Sequence, residues 1–246
     1  MTVEMKYELV ETSETDRTVG VYGGTHDKLY RIRALKDFSD VKNGDLGGYV
    51  AGYHNLTQTG DAWIYDNAKV QEEALVAEDA QVRDNATVLE RALVKGKSKV
   101  LNQALVRDSA TLNNNAVVQD SACVRGDARI IEDAKVYGGA IVFGSARVYG
   151  NARVFGGSYV RGDANVGGGA WIYDKSDVAG EAKVEGQAHV SGIAVVGGTA
   201  IVKERAHISE MARVLGESVI SGNAEVKGDT TLKDVKISEG KLGIKE

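Results

Sequence analysis

Residues 62–232 repeat a six-residue pattern with no insertion or deletion, and that regularity leaves few folds open to the chain. The first position of each unit is small. Across 29 occurrences it is Ala 24 times, Ser at Ser98, Ser158, Ser176 and Ser218, and Thr at Thr230. Two residues later comes Val, Ile or Leu in every unit, from Ile64 to Leu232. A spacing of two between inward residues is the strand period, so each unit supplies a short extended segment with a small and a branched side chain on one face. The other residues must turn the chain. The second residue after each aliphatic one is Gly in 15 units and Asp, Glu or Asn in the other 14. Gly, Asn and, less readily, Asp accept the left-handed backbone of a tight corner. The six Glu corners fit that requirement less well.

A unit this short closes no core alone, so the units must stack as coils whose strands pair above and below. The pattern small-x-aliphatic-x-turn-x resembles the hexapeptide repeat of left-handed parallel β-helices, the fold of bacterial hexapeptide acyltransferases and γ-class carbonic anhydrases. That resemblance implies three units per triangular coil and a left-handed crossover, against the usual rule for parallel strands. The units then make nine to ten coils, a prism roughly 45 Å long at the ~4.8 Å spacing of paired strands. The expected fold is all-β: one left-handed parallel β-helix over residues 62–234, an N-terminal antiparallel β cap and lead-in over 1–61, and a C-terminal cap or tail over 235–246. Residues 1–36 fall outside the six-residue register and read as strands at 5–10, 18–22 and 29–35, with a hairpin loop at 23–27. Such an element covers the edge that an open coil exposes.

Composition narrows the function classes. The 30 Gly and the absence of Pro suit a chain in which nearly every residue sits in a strand or a corner, because a central strand needs each amide as a donor. Net charge is −5 with both signs interspersed, which argues against general nucleic-acid or anionic-membrane binding. The single cysteine, Cys123, excludes an internal disulfide framework and points to a reducing compartment. Residues 1–10 are charged and lack the apolar run of a signal peptide, and no stretch has the ~18 consecutive apolar residues of a membrane helix. The expected location is cytoplasmic.

One segment is more specific than the repeat. Gly44-Asp45-Leu46-Gly47-Gly48-Tyr49-Val50, then Asn55-Leu56 and Gly60-Asp61-Ala62-Trp63-Ile64-Tyr65-Asp66, closely resembles the N-terminal segment of YdcK-like hexapeptide-repeat proteins of enterobacteria and of related proteins encoded by phages. The likeness covers residues 29–70 and the general repeat. Those relatives are described as transferases on fold analogy alone, which does not establish chemistry.

A period of three hexads sorts the outward side chains into three faces. The Ala62 face carries Trp63 and Tyr65, then Lys135, Tyr137, Arg153, Phe155, Trp171, Tyr173, His189 and His207. The Ala68 face carries Leu89, Leu105, Cys123, Ile141, Phe143 and Tyr159, interrupted by Arg107, Arg125 and Arg161. The third face is mixed, with Arg129, Ile131, Arg147 and Tyr149 at its centre. Aromatic residues beside Lys or Arg, as from Lys135 to Tyr173, suit three roles: a surface for a small anionic ligand, a surface for a protein partner, or stacking ladders that only stabilise the sheet. The apolar residues Leu89, Leu105, Ile141, Phe143 and Tyr159 read as an oligomer interface. The family resemblance implies a trimer.

Catalytic signals are sparse. Hexapeptide acyltransferases break the repeat with a loop that carries or shelters a general-base His, and no such loop interrupts these units. His189 and His207 lie one expected coil apart and are the candidates for a base in an intersubunit cleft, with acyl-CoA as the cofactor of that reading. A zinc site of the γ-carbonic-anhydrase kind needs three His, two close in sequence, and His26, His54, His189 and His207 contain no such pair. Corners such as Asp66, Asp84 and Asp120 offer oxygen ligands to a hard cation, but turn chemistry accounts for them. No metal and no cofactor is expected under the leading reading, a non-catalytic scaffold or binding protein; the alternative is an acyl- or related group transferase.

Overall fold

The inward spacing of two becomes a stack of two-residue strands in a computed structural model that describes residues 4–15 and 28–243. Each strand pairs in parallel with its equivalent three hexads later, so Lys69–Val70 lies beside Thr87–Val88, and Trp63–Ile64 beside Gln81–Val82. Three sheets result, one for each face, and together they wind a parallel β-solenoid of about eleven turns. Every small position from Ala62 to Ala224 and every aliphatic one from Ile64 to Val226 is buried in the shared interior. Each buried branched side chain contributes ~1.5–3 kcal/mol over its exposed state. The four Ser at small positions keep their hydroxyls satisfied by donating to the carbonyl three residues back, at 2.5–2.8 Å.

The backbone ladder is asymmetric. The N–H groups on either side of each aliphatic residue reach carbonyls of the following coil, as from Lys69 to Ala86 at 2.9 Å and from Tyr65 to Val82 at 2.8 Å. Carbonyls of the first coil therefore face the N-terminal end with no coil to pair with, and donors from the cap take them. The Lys6 ammonium, 1% exposed, donates to Gly60 O at 3.2 Å and Ala62 O at 2.9 Å. Arg31 donates to Asp66 O at 3.2 Å, and Asn55 to Glu72 O and Ala74 O at 2.8 Å each. Burial lowers the Lys6 pKa to about 8.

The cap itself is antiparallel. β1 (Tyr7–Thr15) pairs with β2 (Lys28–Ala34), and β2 pairs with β3 (Leu46–Val50). β3 then runs parallel to Lys69–Val70, so the cap and the sheet of the Ala68 face are one continuous sheet. The expected strand at 18–22, the loop at 23–27 and His26 lie outside the described residues. β3 lies in the Leu46-Gly47-Gly48-Tyr49 segment, whose two glycines depress strand propensity and hide it from a pattern search. Both glycines are needed for close approach: a Cβ on Gly47 would sit 2.5 Å from Ile64 O, and one on Gly48 2.5 Å from Ala68 O.

All 29 corners have positive φ, with Glu as with Gly, and most hexads are closed by a turn such as that from Ala68 N–H to Tyr65 O at 3.0 Å. The Glu corners fit better than their conformational preference suggests, and the reason is a bond along the axis. Twelve of the fourteen non-glycine corner side chains accept the N–H of the corner residue one coil on. Glu132 takes Gly150 N–H at 2.8 Å and Glu204 takes Gly222 N–H at 2.8 Å. Left-handed backbone costs a non-glycine residue ~1–2 kcal/mol, and a hydrogen bond to a charged group returns ~1.5–3 kcal/mol. The two effects nearly cancel, so Glu is tolerated.

After Leu232 the register shortens. Lys236–Ile237 pairs with Val219–Ile220, and Lys241–Leu242 with Glu225–Val226, one and then two positions short of the three-hexad step. These strands extend two of the sheets, and Leu232, Ile237 and Leu242 are only partly buried at that end.

The axial corner bond distinguishes two substitutions. Glu132→Ala keeps the strain and loses the bond, for an expected cost of ~1–2 kcal/mol, whereas Glu132→Gly loses both and stays within ~0.5 kcal/mol of the parent. Hydrogen exchange at the Gly150 amide should accelerate in both variants. Equal destabilisation by the two variants, or an unchanged Gly150 amide, would contradict it.

Candidate ligand-binding face

Outward residues of matching strands stack at the coil spacing, so each column of the Ala62 face draws one residue from every third hexad. One column holds Tyr137, Phe155 and Tyr173. Tyr137 and Phe155 stack with ring centroids 4.8 Å apart and planes 2° apart, and Phe155 and Tyr173 with 5.2 Å and 6°. The neighbouring column holds Lys135, Arg153, Trp171, His189 and His207 in consecutive coils. The Arg153 guanidinium lies over the Trp171 ring at 5.1 Å, and Trp171 stacks on His189 at 5.1 Å and 7°. Edge contacts tie the columns together, Phe155 to Trp171 and Tyr173 to His189, each at 6.2 Å.

This geometry brings together the six residues proposed for a ligand or partner surface and joins both histidines to them. It also constrains what the surface can do. Phe155 has a ring on each side, and Trp171 has Arg153 on one side and His189 on the other, so their faces are used within the ladder. What they turn outward is ring edges, which carry the positive part of the aromatic quadrupole. With Lys135 and Arg153 beside them, these edges favour anionic groups over flat rings.

His189 and His207 stand 5.8 Å apart, centroid to centroid, at 75°. A ring nitrogen of His207, Nε2, lies 3.3 Å from Ser191 Oγ. Burial, and secondarily the neighbouring His207, hold the His189 imidazole below its ordinary value of 6.5.

Beside the columns runs a shallow trough that sequence reasoning missed. Three depressions of about 560, 620 and 670 Å³ make it up. The first and second share Asn151 and Arg153, and the second and third share Gln187 and Arg205, so the trough is continuous from Lys97 to Glu225. Its outer wall comes from residues just before the small positions, a set that only the three-hexad period singles out. Near Trp171 the wall falls away at Gly168, Gly169 and Gly186. Among the described residues, Lys97, Lys99, Lys135, Arg153 and Arg205 form no ion pair.

The other faces differ. On the Ala68 face Leu105, Cys123, Ile141 and Tyr159 occupy four successive coils, with Leu89 and Phe143 in the adjoining column. Tyr159 is 42% exposed, and the flanking arginines are engaged: Arg125 over Phe143 at 4.9 Å, Arg161 on Asp177 at 2.8 Å, and Arg107 on Glu90 at 2.7 Å. On the third face Tyr149 donates to Glu185 at 2.9 Å, two coils away. Most corner carboxylates are spent on backbone amides, and no group of three His, Cys, Asp or Glu that could hold a metal ion stands together among the described residues. No helix of the described residues is long and apolar enough to cross a membrane.

Residues 146–163, one full coil that includes Arg153 and Phe155, match the family described as the YdcK beta solenoid repeat. No curated protein matches the chain.

The lowered pKa of His189 sets a pH dependence. The unfolded imidazole binds a proton more readily than the folded one, so this contribution to stability is complete above about pH 6.5 and is lost as pH falls through the folded value. Between neutral and mildly acidic pH, exchange protection at His189 and Val190 should fall more than at Lys183 and Val184 on another face. His189→Phe, which keeps a stacking ring, should abolish the difference; equal loss of protection in the parent would refute this.

Proposed function

We propose that this YdcK-like parallel β-helix protein is a rigid, non-catalytic binding scaffold whose Ala62 face holds an anionic ligand. One observation carries the reading: a continuous trough beside positive ring edges, with five cations that have no carboxylate partner among the described residues, on a chain of net charge −5. The uninterrupted solenoid supports it as well, because binding needs only a rigid array and no mobile loop. Side chains fixed to stacked strands lose little freedom when a ligand arrives, which favours affinity. At neutral pH the protein should be retained on a sulfonated matrix despite its net negative charge. Arg153→Glu combined with Arg205→Glu should release it at markedly lower salt. A parent protein that passes straight through would overturn the reading.

A second reading, group transfer with an acyl-CoA donor, draws on the contact between His207 and Ser191. A base of this kind works best when a third group orients its other ring nitrogen. Among the described residues His207 has no hydrogen-bonded carboxylate to do so. Incubation with acetyl-CoA and amine or hydroxyl acceptors should release no thiol above the uncatalysed rate. Turnover that falls at least about a hundredfold in His207→Ala would establish the transferase instead.

A further inference from the structure

We propose that the trough of the Ala62 face binds a linear acidic polysaccharide laid parallel to the solenoid axis, an inference that rests on the reading of this face as anion-binding. The trough crosses eight coils, from Lys97 to Asn223 and Glu225, which at ~4.8 Å per coil is about 34 Å. A site that long and narrow suits a chain rather than a compact molecule. Its charges are asymmetric. The carboxylates along it are engaged: Asp133 accepts from Asn115 at 2.9 Å, Glu204 from Gly222 N–H at 2.8 Å, and Glu225 pairs with Lys241 at 3.0 Å. The lysines and arginines named above have no carboxylate partner among the described residues, and these five cations outnumber the three carboxylates, so the strip offers positive charge to a ligand.

Spacing identifies the chain. Four amide residues of the wall, Asn115, Asn151, Gln187 and Asn223, recur in every second coil, a separation of ~9.6 Å. An extended β-linked sugar chain advances about one ring per coil and one disaccharide per amide, so equivalent hydroxyls and acid groups meet equivalent side chains. An extended peptide places side chains on one face every ~6.8 Å and falls out of step within a few coils. Single-stranded nucleic acid binds sequence-tolerantly by stacking bases on aromatic faces. Here the faces of Phe155 and Trp171 are already covered. Sugar recognition by hydrogen bonds and charge needs no open ring face.

Trp171 reports on the trough, because the other tryptophan, Trp63, is buried in the core. Hyaluronan oligosaccharides of increasing length, titrated against Trp171 fluorescence, should bind more tightly with each added disaccharide. The gain should stop near seven sugars, where the ligand spans the ~34 Å trough. Arg153→Ala and Arg205→Ala should each weaken binding about tenfold. Asn151→Ala with Gln187→Ala should weaken binding of hyaluronan but leave binding of oligoglutamate and oligothymidylate of equal charge unchanged. If those two competitors bind as tightly as hyaluronan and the amide variant behaves like the parent, the face is a general anion surface and the polysaccharide assignment is wrong. If no probe binds and the arginine variants change nothing, the anion-binding reading falls with it.

Discussion

The amides on either side of each aliphatic residue in the solenoid point along the axis toward carbonyls of the next coil, and this polarity governs both ends of the molecule. A parallel ladder leaves its first carbonyls and its last amides without partners, and an exposed row of either invites pairing with another chain. At the N-terminal end the exposed row is mainly acceptors, so the side chains that cover it are donors: Lys6, Arg31 and Asn55. A buried lysine is costly in a protein core. Here its ammonium replaces the amides of a missing coil, which explains a charge that would otherwise look misplaced. The cap is therefore a termination device first, and its antiparallel strands are the frame that carries those donors to the open rung.

The corners solve the opposite problem, a local conformation that most residues resist. Glycine meets it by lacking a Cβ, and in the run from Gly138 to Gly168 this is the solution used throughout. Aspartate, glutamate and asparagine meet it by placing an acceptor on the next corner's amide. The choice between the two has an effect on shape. Beside Trp171, which is 36% exposed, the trough is lined by Gly168, Gly169 and Gly186, so no side chain walls it there.

Much of this was legible from residue order. The alternation of Ala and Val two apart specified strands, and the six-residue interval specified coils, because no other arrangement buries both sets at once. The same period grouped Lys135, Tyr137, Arg153, Phe155, Trp171 and Tyr173 on one face and placed His189 and His207 below them. Less visible was whatever depends on direction. The acceptance of Glu at corners rests on a bond to a residue in the adjacent coil, which conformational preference does not include. The covering of ring faces depends on rotamers, and a list of aromatic residues does not distinguish a face from an edge. β3 was hidden because Gly47 and Gly48 depress strand propensity, yet they are there for close packing against Ile64 and Ala68. The trough wall escaped notice because Asn115, Asn151 and Gln187 sit at positions whose identity the core leaves free.

The shortened step after Leu232 bears on how such a chain can change length. Pairing there falls one and then two positions short of a full coil, and Leu232, Ile237 and Leu242 are only partly buried. Inside the stack, the loss of a single residue would put every downstream valine in water. Losing one hexad would leave the interior undisturbed yet turn the remainder by a third of a revolution, carrying His189 and His207 to a different side of the prism from Arg153. Only a deletion or duplication of three hexads together preserves both core and surface, so lineages of this architecture should grow and shrink in whole coils.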